Sequence, residues 1–359
     1  MKAAVCHAFG EDLVIEEVTL APPQAGQVEV KIAAVAICHS DIAYMKGAWG
    51  GTLPAVYGHE AAGVVQAVGE GVSRYQVGDR VIVTLIHSCG VCPNCQDAAP
   101  AQCEVSVDRD NGPLKTSDGG TLHHGMQTGA FAERAVVDQS QIVKVPDDIS
   151  MDVASLLACG VITGVGAALN TAKIRPGSSV VVIGAGGVGL NAIQGAAIAG
   201  AARIIAVDLN QDKLDAALEF GATHGVLANK KPFSDVKRIN GGRGVDYVMV
   251  AVGSPKAYQT AANYLRIGGT MVMVGMTPSG EPVTYEPVNV AGGSLKMIGS
   301  NMGDTVLSRD IPFLIELYRQ GRLKLDELIT GRYALGDINE AIADTLAGNA
   351  RRNVILFDD

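Results

Sequence analysis

The chain has 359 residues, 28 Lys and Arg against 37 Asp and Glu, a net charge of −9, 48% hydrophobic residues and 4% aromatics. Its length suits two domains, and its acidic balance excludes the basic surface that nucleic acid or an anionic membrane requires. The N-terminal stretch carries acids by residue 11 and no apolar core, unlike a secretory signal. The most apolar region, 180–207, is broken by Asn191, Gln194 and Arg203, unlike a membrane span, so a cytoplasmic location is expected.

Residues 1–160 read as short strands with turns between them. The runs 28–35 (VEVKIAAV), 62–68 (AGVVQAV) and 80–85 (RVIVTL) are β-branched and flanked by Gly or Pro, which predicts an antiparallel, barrel-like β region. From 161 the pattern changes. A continuous apolar strand at 179–183 (SVVVI) leads through a Gly-rich turn into a helix at 188–199 and a second strand at 203–208 (RIIAVD). Helix 212–220, strand 225–227, strand 246–250, helix 255–265 and strand 270–275 continue the alternation. That rhythm predicts a doubly wound parallel sheet over 161–296. A helix at 311–320 and a strand at 353–357 remain, and 297–359 is expected to complete the first domain.

Seven cysteines occur, and in a reducing compartment clustered cysteines point to metal rather than disulfides. Cys89, Cys92, Cys95 and Cys103 form C-x2-C-x2-C-x7-C within fifteen residues. Four thiolates at such spacing suit a closed tetrahedral zinc site with a structural role. Gly90 and Pro93 favour the tight turns that aim neighbouring sulfurs inward. The segment lacks the Lys and Arg density of a nucleic-acid zinc ribbon. Cys38, His59 and Cys159 are dispersed, and singly each has an ordinary structural explanation: a buried Cys packs as a small hydrophobe. Together they match a catalytic zinc set, three protein ligands with the fourth position open.

Gly184-x-Gly186-x-x-Gly189 directly follows the 179–183 strand and opens a helix, the context that gives this motif meaning. Gly184 permits the tight turn, Gly186 lets backbone approach a pyrophosphate, and Gly189 lets helix and strand pack closely. Gly187 and Val188, within the motif, begin the helix whose N–H groups face the phosphates. Asp208 ends the next strand, where a carboxylate binds the adenosine ribose and repels a 2′-phosphate, so NAD is expected over NADP.

Taken in order, Cys38-x-Ser40-Asp41, Gly58-His59-Glu60, the four-Cys loop, Cys159 and the glycine motif resemble the zinc-dependent medium-chain dehydrogenase/reductase family over the whole chain. The stretch from Cys159 through Gly189 also resembles the formaldehyde dehydrogenase branch. The resemblance implies a GroES-like β-rich catalytic domain with a Rossmann domain, and two zincs per chain. It implies that Cys38, His59 and Cys159 hold the catalytic zinc and that Asp41 fixes the His59 tautomer. Glu60 would lie near that zinc and assist ligand exchange, or serve as an ordinary buried ion pair. Ser40 would take the alcohol proton through its hydroxyl and pass it to the nicotinamide ribose. Relatives end that relay on a His where this chain has Ala43, which leaves water for the last step. His39 would face the cofactor pyrophosphate. Lys213 would reach the adenosine ribose or simply be a solvated helix lysine; Arg352 would pair with pyrophosphate, and Thr163 and Val274 would hold the nicotinamide.

By the same resemblance Trp49, Leu85 and Met276 line the substrate channel or belong to ordinary core. The implied activity is reversible hydride transfer between an alcohol and NAD. The alternatives are a formaldehyde dehydrogenase acting on a glutathione- or mycothiol-type adduct, and a catalytically silent nucleotide-binding member. Adduct-dependent relatives use a basic residue shortly after the fourth structural cysteine, where this chain has Val107, with Arg109 nearby. The implied partners are a small alcohol or aldehyde and a second copy of the chain, as homodimer or homotetramer, through 246–275 and 294–300.

Overall fold

A computed structural model describes residues 1–105, 112–229 and 231–358. The chain forms two compact units: Met1–Cys159 with Val306–Tyr318 and Leu325–Asp359, and Gly160–Thr305 with Arg319–Lys324.

In the first unit, Gln27–Ala36 is the central strand of a seven-stranded sheet. Val28, Val30 and Ile32 alternate inward, as a half-buried strand demands. Glu60–Val68 pairs antiparallel with it and with Arg80–Thr84, so Glu60 lies opposite Thr84. The final strand, Arg352–Leu356, joins the other side of Gln27–Ala36 antiparallel, and Ile329–Ala334 adds to it in parallel. A five-stranded sheet carries Lys2–Cys6 and Val14–Leu20. One apolar core runs through the unit, including Phe131, Leu122 and Ile355. Helix Ile338–Ala347 adds Ile338, Ala341 and Ile342 to it, an i, i+3, i+4 stripe.

The second unit is a six-stranded, wholly parallel sheet. Numbered within the sheet, its order is 3-2-1-4-5-6, with Ser179–Ile183 first and Lys296–Gly299 last. This is the dinucleotide-binding arrangement, whose ligand crevice lies outside the carboxyl ends of strands 1 and 4, where the order reverses. Every residue of Ser179–Ile183 is buried, which explains its continuous apolar run.

Several expectations need correction. The boundary at 297 cuts the sixth strand, since Lys296–Gly299 pairs with Leu265–Met273. The helix expected over 255–265 stops as α-helix at Ala261, tightens to a 3-10 turn over Ala262–Tyr264, and yields to strand at Leu265. Helices Met151–Leu156 and Gly160–Gly166 have no counterpart in the sequence reading. Among the described residues no helix is long and apolar enough to cross a membrane.

Candidate metal centres and dinucleotide site

The four sulfurs of Cys89, Cys92, Cys95 and Cys103 lie within 4.8 Å of one another. The backbone curls around them. Val91 N and Cys92 N donate to Cys89 Sγ at 3.5 and 3.3 Å, and Cys89 N donates to Cys103 Sγ at 3.4 Å. Such donors stabilise thiolates: N–H groups of Glu104 and Cys95 pull the Cys92 thiol down to about 6. Four converging sulfurs with N–H groups aimed at them fit a closed zinc site.

The second cluster joins distant segments of the first unit. Cys38 is the N-cap of helix His39–Met45, and Asp41, three residues on, returns its carboxylate to Cys38 N at 3.1 Å. Asp41 Oδ1 also accepts from Gly58 N and faces His59 Nδ1, both at 2.9 Å. Asp41 therefore aims His59 with Nε2 forward. Potential ligand atoms of Cys38, His59, Glu60 and Cys159 lie within 4.8 Å of one another, and all four residues are buried. His59 Nε2 is buried with no hydrogen-bond partner among the described residues, as a nitrogen reserved for a cation would be. A hydrogen bond from Cys159, with the nearby His59 ring, holds the Cys38 thiol well below its usual range.

Glu60 faces the cluster from the start of its strand. Burial pushes its carboxyl up to about 8, although Arg352 opposes the shift. Arg352 Nη1 lies 3.3 Å from Glu60 Oε1 and donates to Ile37 O at 3.3 Å. Arg352, expected on a cofactor pyrophosphate, is 5% exposed and lies against Glu60 through Nη1, while its Nη2 has no hydrogen-bond partner among the described residues. Both expectations for Glu60 thus coincide: it sits at the cluster and in a buried ion pair. Nothing in the sequence marks this pairing. Ser40 is half-buried, His39 exposed and Ala43 half-buried.

In the second unit Gly184 has φ 90° and Gly186 caps helix Gly187–Ile198. A Cβ at Gly186 would meet nothing within 4 Å, whereas one at Gly189 would stand 1.8 Å from Gly184 O. The first glycine turns, the second leaves an open face at a helix N-terminus, and the third packs. This cradle fits a pyrophosphate. Asp208 is half-buried; it accepts from Ala185 N at 2.8 Å and from Asn210 N at 3.1 Å, so it also braces the glycine loop. Lys213 is half-buried on helix Gln211–Glu219. Val274 directly follows the fifth strand and donates its N–H to Val250 O at 3.1 Å, and the Thr163 hydroxyl donates to Met302 Sδ at 3.7 Å.

The expected pocket residues are distributed over both units. Trp49, edge-on to Tyr44 at 5.2 Å, and Leu85 are half-buried in the first unit. Met276 belongs to the second unit and is 63% exposed. Val107 and Arg109 lie outside the described residues.

Comparison with known proteins agrees with this architecture. Residues 24–147 match the family model described as alcohol dehydrogenase GroES-like domain, and 187–320 that described as zinc-binding dehydrogenase. The chain is 36% identical to an NDMA-dependent alcohol dehydrogenase of Amycolatopsis methanolica, over 99% of this chain and 98% of the relative. It superposes on an alcohol dehydrogenase zinc-binding domain protein from Burkholderia ambifaria with TM-score 0.94 and 34% identity, covering 100% and 99% of the two chains. It superposes on benzyl alcohol dehydrogenase from Acinetobacter calcoaceticus with TM-score 0.93 and 32% identity, covering 99% of each.

Proposed function

The chain belongs to the zinc-dependent medium-chain alcohol dehydrogenase family, and on that premise we propose that it reversibly oxidises a small alcohol to an aldehyde or ketone with NAD as hydride acceptor. The observation carrying the reading is the buried convergence of Cys38, His59 and Cys159 around the unpartnered His59 Nε2. A zinc held by these three residues would act as a Lewis acid on the alcohol oxygen and lower the pKa of its hydroxyl. Two thiolates and a neutral imidazole would neutralise the ion's charge. Asp41 keeps the His59 proton on Nδ1. Ser40 Oγ takes the alcohol proton and passes it to the nicotinamide ribose, and water receives it at the last step, since Ala43 supplies no acceptor. Cys89, Cys92, Cys95 and Cys103 hold the second zinc in a structural role.

The glycine turn, Asp208 and Lys213 bind the adenosine half of NAD; Thr163 and Val274 hold its nicotinamide, and His39 faces its pyrophosphate. NAD supplies the hydride chemistry, and the protein supplies orientation. Trp49, Leu85 and Met276 give the substrate channel its apolar character. Among the described residues Lys296–Gly299 leaves one sheet edge open, and Ile267, on the adjacent strand Leu265–Met273, is 76% exposed, which supports pairing with a second copy.

A panel of primary, secondary and aromatic alcohols, each with NAD, NADP and NDMA, tests the reading. Turnover of an alcohol with NAD supports it. Formaldehyde oxidation only with an added low-molecular-weight thiol would move the assignment to an adduct dehydrogenase, and inertness toward every alcohol would overturn it.

Two variants probe separate parts. Asp208→Asn keeps an acceptor for Ala185 N–H and removes the charge that repels a 2′-phosphate. A charged hydrogen bond is worth about 1.5–3 kcal/mol, so the KM for NAD should rise about tenfold while NADP improves. An unchanged NAD/NADP ratio would place the ribose elsewhere. Cys92→Ser should leave one zinc per chain and lower the melting temperature, with alcohol-dependent turnover surviving at low temperature. Loss of both zincs would show that the two sites are not independent.

A further inference from the structure

In the second unit the carboxyl ends of strand 1 (Ser179–Ile183), strand 4 (Val245–Val250) and strand 5 (Leu265–Met273) interlock. Ala251 N donates to Ile183 O at 2.9 Å, which ties the end of strand 4 to the end of strand 1. The loops that follow touch backbone to backbone. A Cβ at Gly253 would stand 2.1 Å from Met276 O, and one at Gly275 would stand 2.6 Å from Val252 N. A Cβ at Gly184 would stand 3.0 Å from Val252 Cβ, so the glycine turn abuts the same loop. These joined loops lie at the carboxyl ends of the strands, where the order reverses and a sheet of this kind takes its dinucleotide.

One side chain reaches the loops from the core. Tyr258 lies on helix Pro255–Ala261, which Ser254 caps, and its ring is buried in the apolar cluster with Val248, Val250 and Met271. Its hydroxyl donates to Gly275 O, with Val250 O 3.5 Å away. Val250 O also accepts from Val274 N at 3.1 Å and from Gly275 N at 2.8 Å. The Val274–Gly275 peptide is therefore held through its N–H, and the next carbonyl through the phenol. That peptide is trans, so an N–H aimed at Val250 O turns Val274 O the opposite way. Tyr285 Oη donates to Tyr258 O at 3.1 Å and so fixes the helix that carries the phenol. A phenylalanine would fill the core equally well. The hydroxyl serves only the carbonyls beside the crevice.

We propose that Tyr258 is a positioning residue for the nicotinamide half of NAD, acting through the Val274–Gly275 peptide. A sheet of this order consists of two mononucleotide-binding halves. Strands 1 and 2 lead into the glycine turn and Asp208, which take the adenosine half. The second nucleotide then lies over strands 4 and 5, where Tyr258 sets the backbone. This rests on the NAD reading above. Backbone already held in its bound geometry needs no ordering when the ligand arrives, so the phenol acts on the nicotinamide end and not on the adenosine end.

The test is Tyr258→Phe in the full-length holoenzyme. The ring stays, so the core packing is kept and only the hydroxyl leaves. Kd is measured for NADH and for ADP-ribose, which has the adenosine and pyrophosphate but no nicotinamide ring. The Kd for NADH should rise about tenfold, as the loss of one net hydrogen bond gives, while ADP-ribose should bind within about twofold of wild type. Tyr264→Phe, a tyrosine of the same apolar cluster, should leave the ratio of the two Kd values as in wild type. Equal weakening of both ligands by Tyr258→Phe would make the phenol a prop for the whole cradle. Unchanged NADH binding would remove it from the site, and the same altered ratio in Tyr264→Phe would make the effect a general loosening. Each of these overturns the proposal alone, because wild type still binds both ligands. Wild type that binds neither ligand would instead sink the NAD reading and the proposal with it.

Discussion

Cys38→Ser should lower kcat/KM for alcohol oxidation by about a thousandfold or more while the protein still folds. The estimate follows from what the residue does. Lewis-acid stabilisation is worth several kcal/mol, and about 4 kcal/mol is three powers of ten in rate. Serine is close in size to cysteine, so the 5%-exposed position is not emptied, and its hydroxyl still caps helix His39–Met45. The hydroxyl is a far poorer zinc ligand than a thiolate. Zinc content should fall from two to one per chain, with an unchanged circular dichroism spectrum. Normal turnover in this variant would remove Cys38 from the site.

The second large effect separates two glycines of one motif. Gly189→Ala places a methyl 1.8 Å from Gly184 O, a backbone atom that can yield only if the turn moves. Overpacking of this kind costs about 3 kcal/mol, against about 1 kcal/mol that Ala gains in a helix interior. The melting temperature should fall by about 4–8 °C for that net loss of about 2 kcal/mol. At Gly186 the added methyl meets nothing within 4 Å and φ is −78°, so Gly186→Ala should melt like wild type. It should nevertheless raise the Kd for NAD about tenfold, because the methyl occupies the approach of the pyrophosphate. Calorimetry and NAD titration on both variants check this. Equal melting temperatures with equal NAD affinities would contradict it.

What the sequence made legible follows from how local each signal is. The runs at 179–183 and 203–208 are buried strands with sharp ends, and both strands occupy those residues. The convergence of the four-Cys loop is legible because its cysteines lie within fifteen residues. Helix Gly160–Gly166 was not legible. It is buried all round and so lacks a 3.6-residue stripe, and its glycines are poor helix formers. Packing decides it: a Cβ at Gly164 would stand 2.4 Å from Val188 O, and one at Gly195 2.8 Å from Ala168 Cβ. The short helix Met151–Leu156 likewise carries too few turns for periodicity.

At the site, residue types were readable and partnerships were not. Asp41 could be placed beside His59 because the family motif sets them out, and the structure adds that Asp41 is held by Cys38 N and Gly58 N as well. The Arg352–Glu60 pair depends on the last strand returning beside Gln27–Ala36, a long-range fact with no local mark.

The central claim is that alcohol oxidation runs on the zinc held by Cys38, His59 and Cys159. The most direct test is NADH formation from NAD and an alcohol, measured on one preparation together with its zinc content. Two zincs per chain with alcohol-dependent NADH formation, and one zinc with none in the Cys38→Ser protein, is the predicted result. Two zincs per chain with no NADH from any alcohol, or undiminished NADH formation after the Cys38 site has lost its metal, would contradict it.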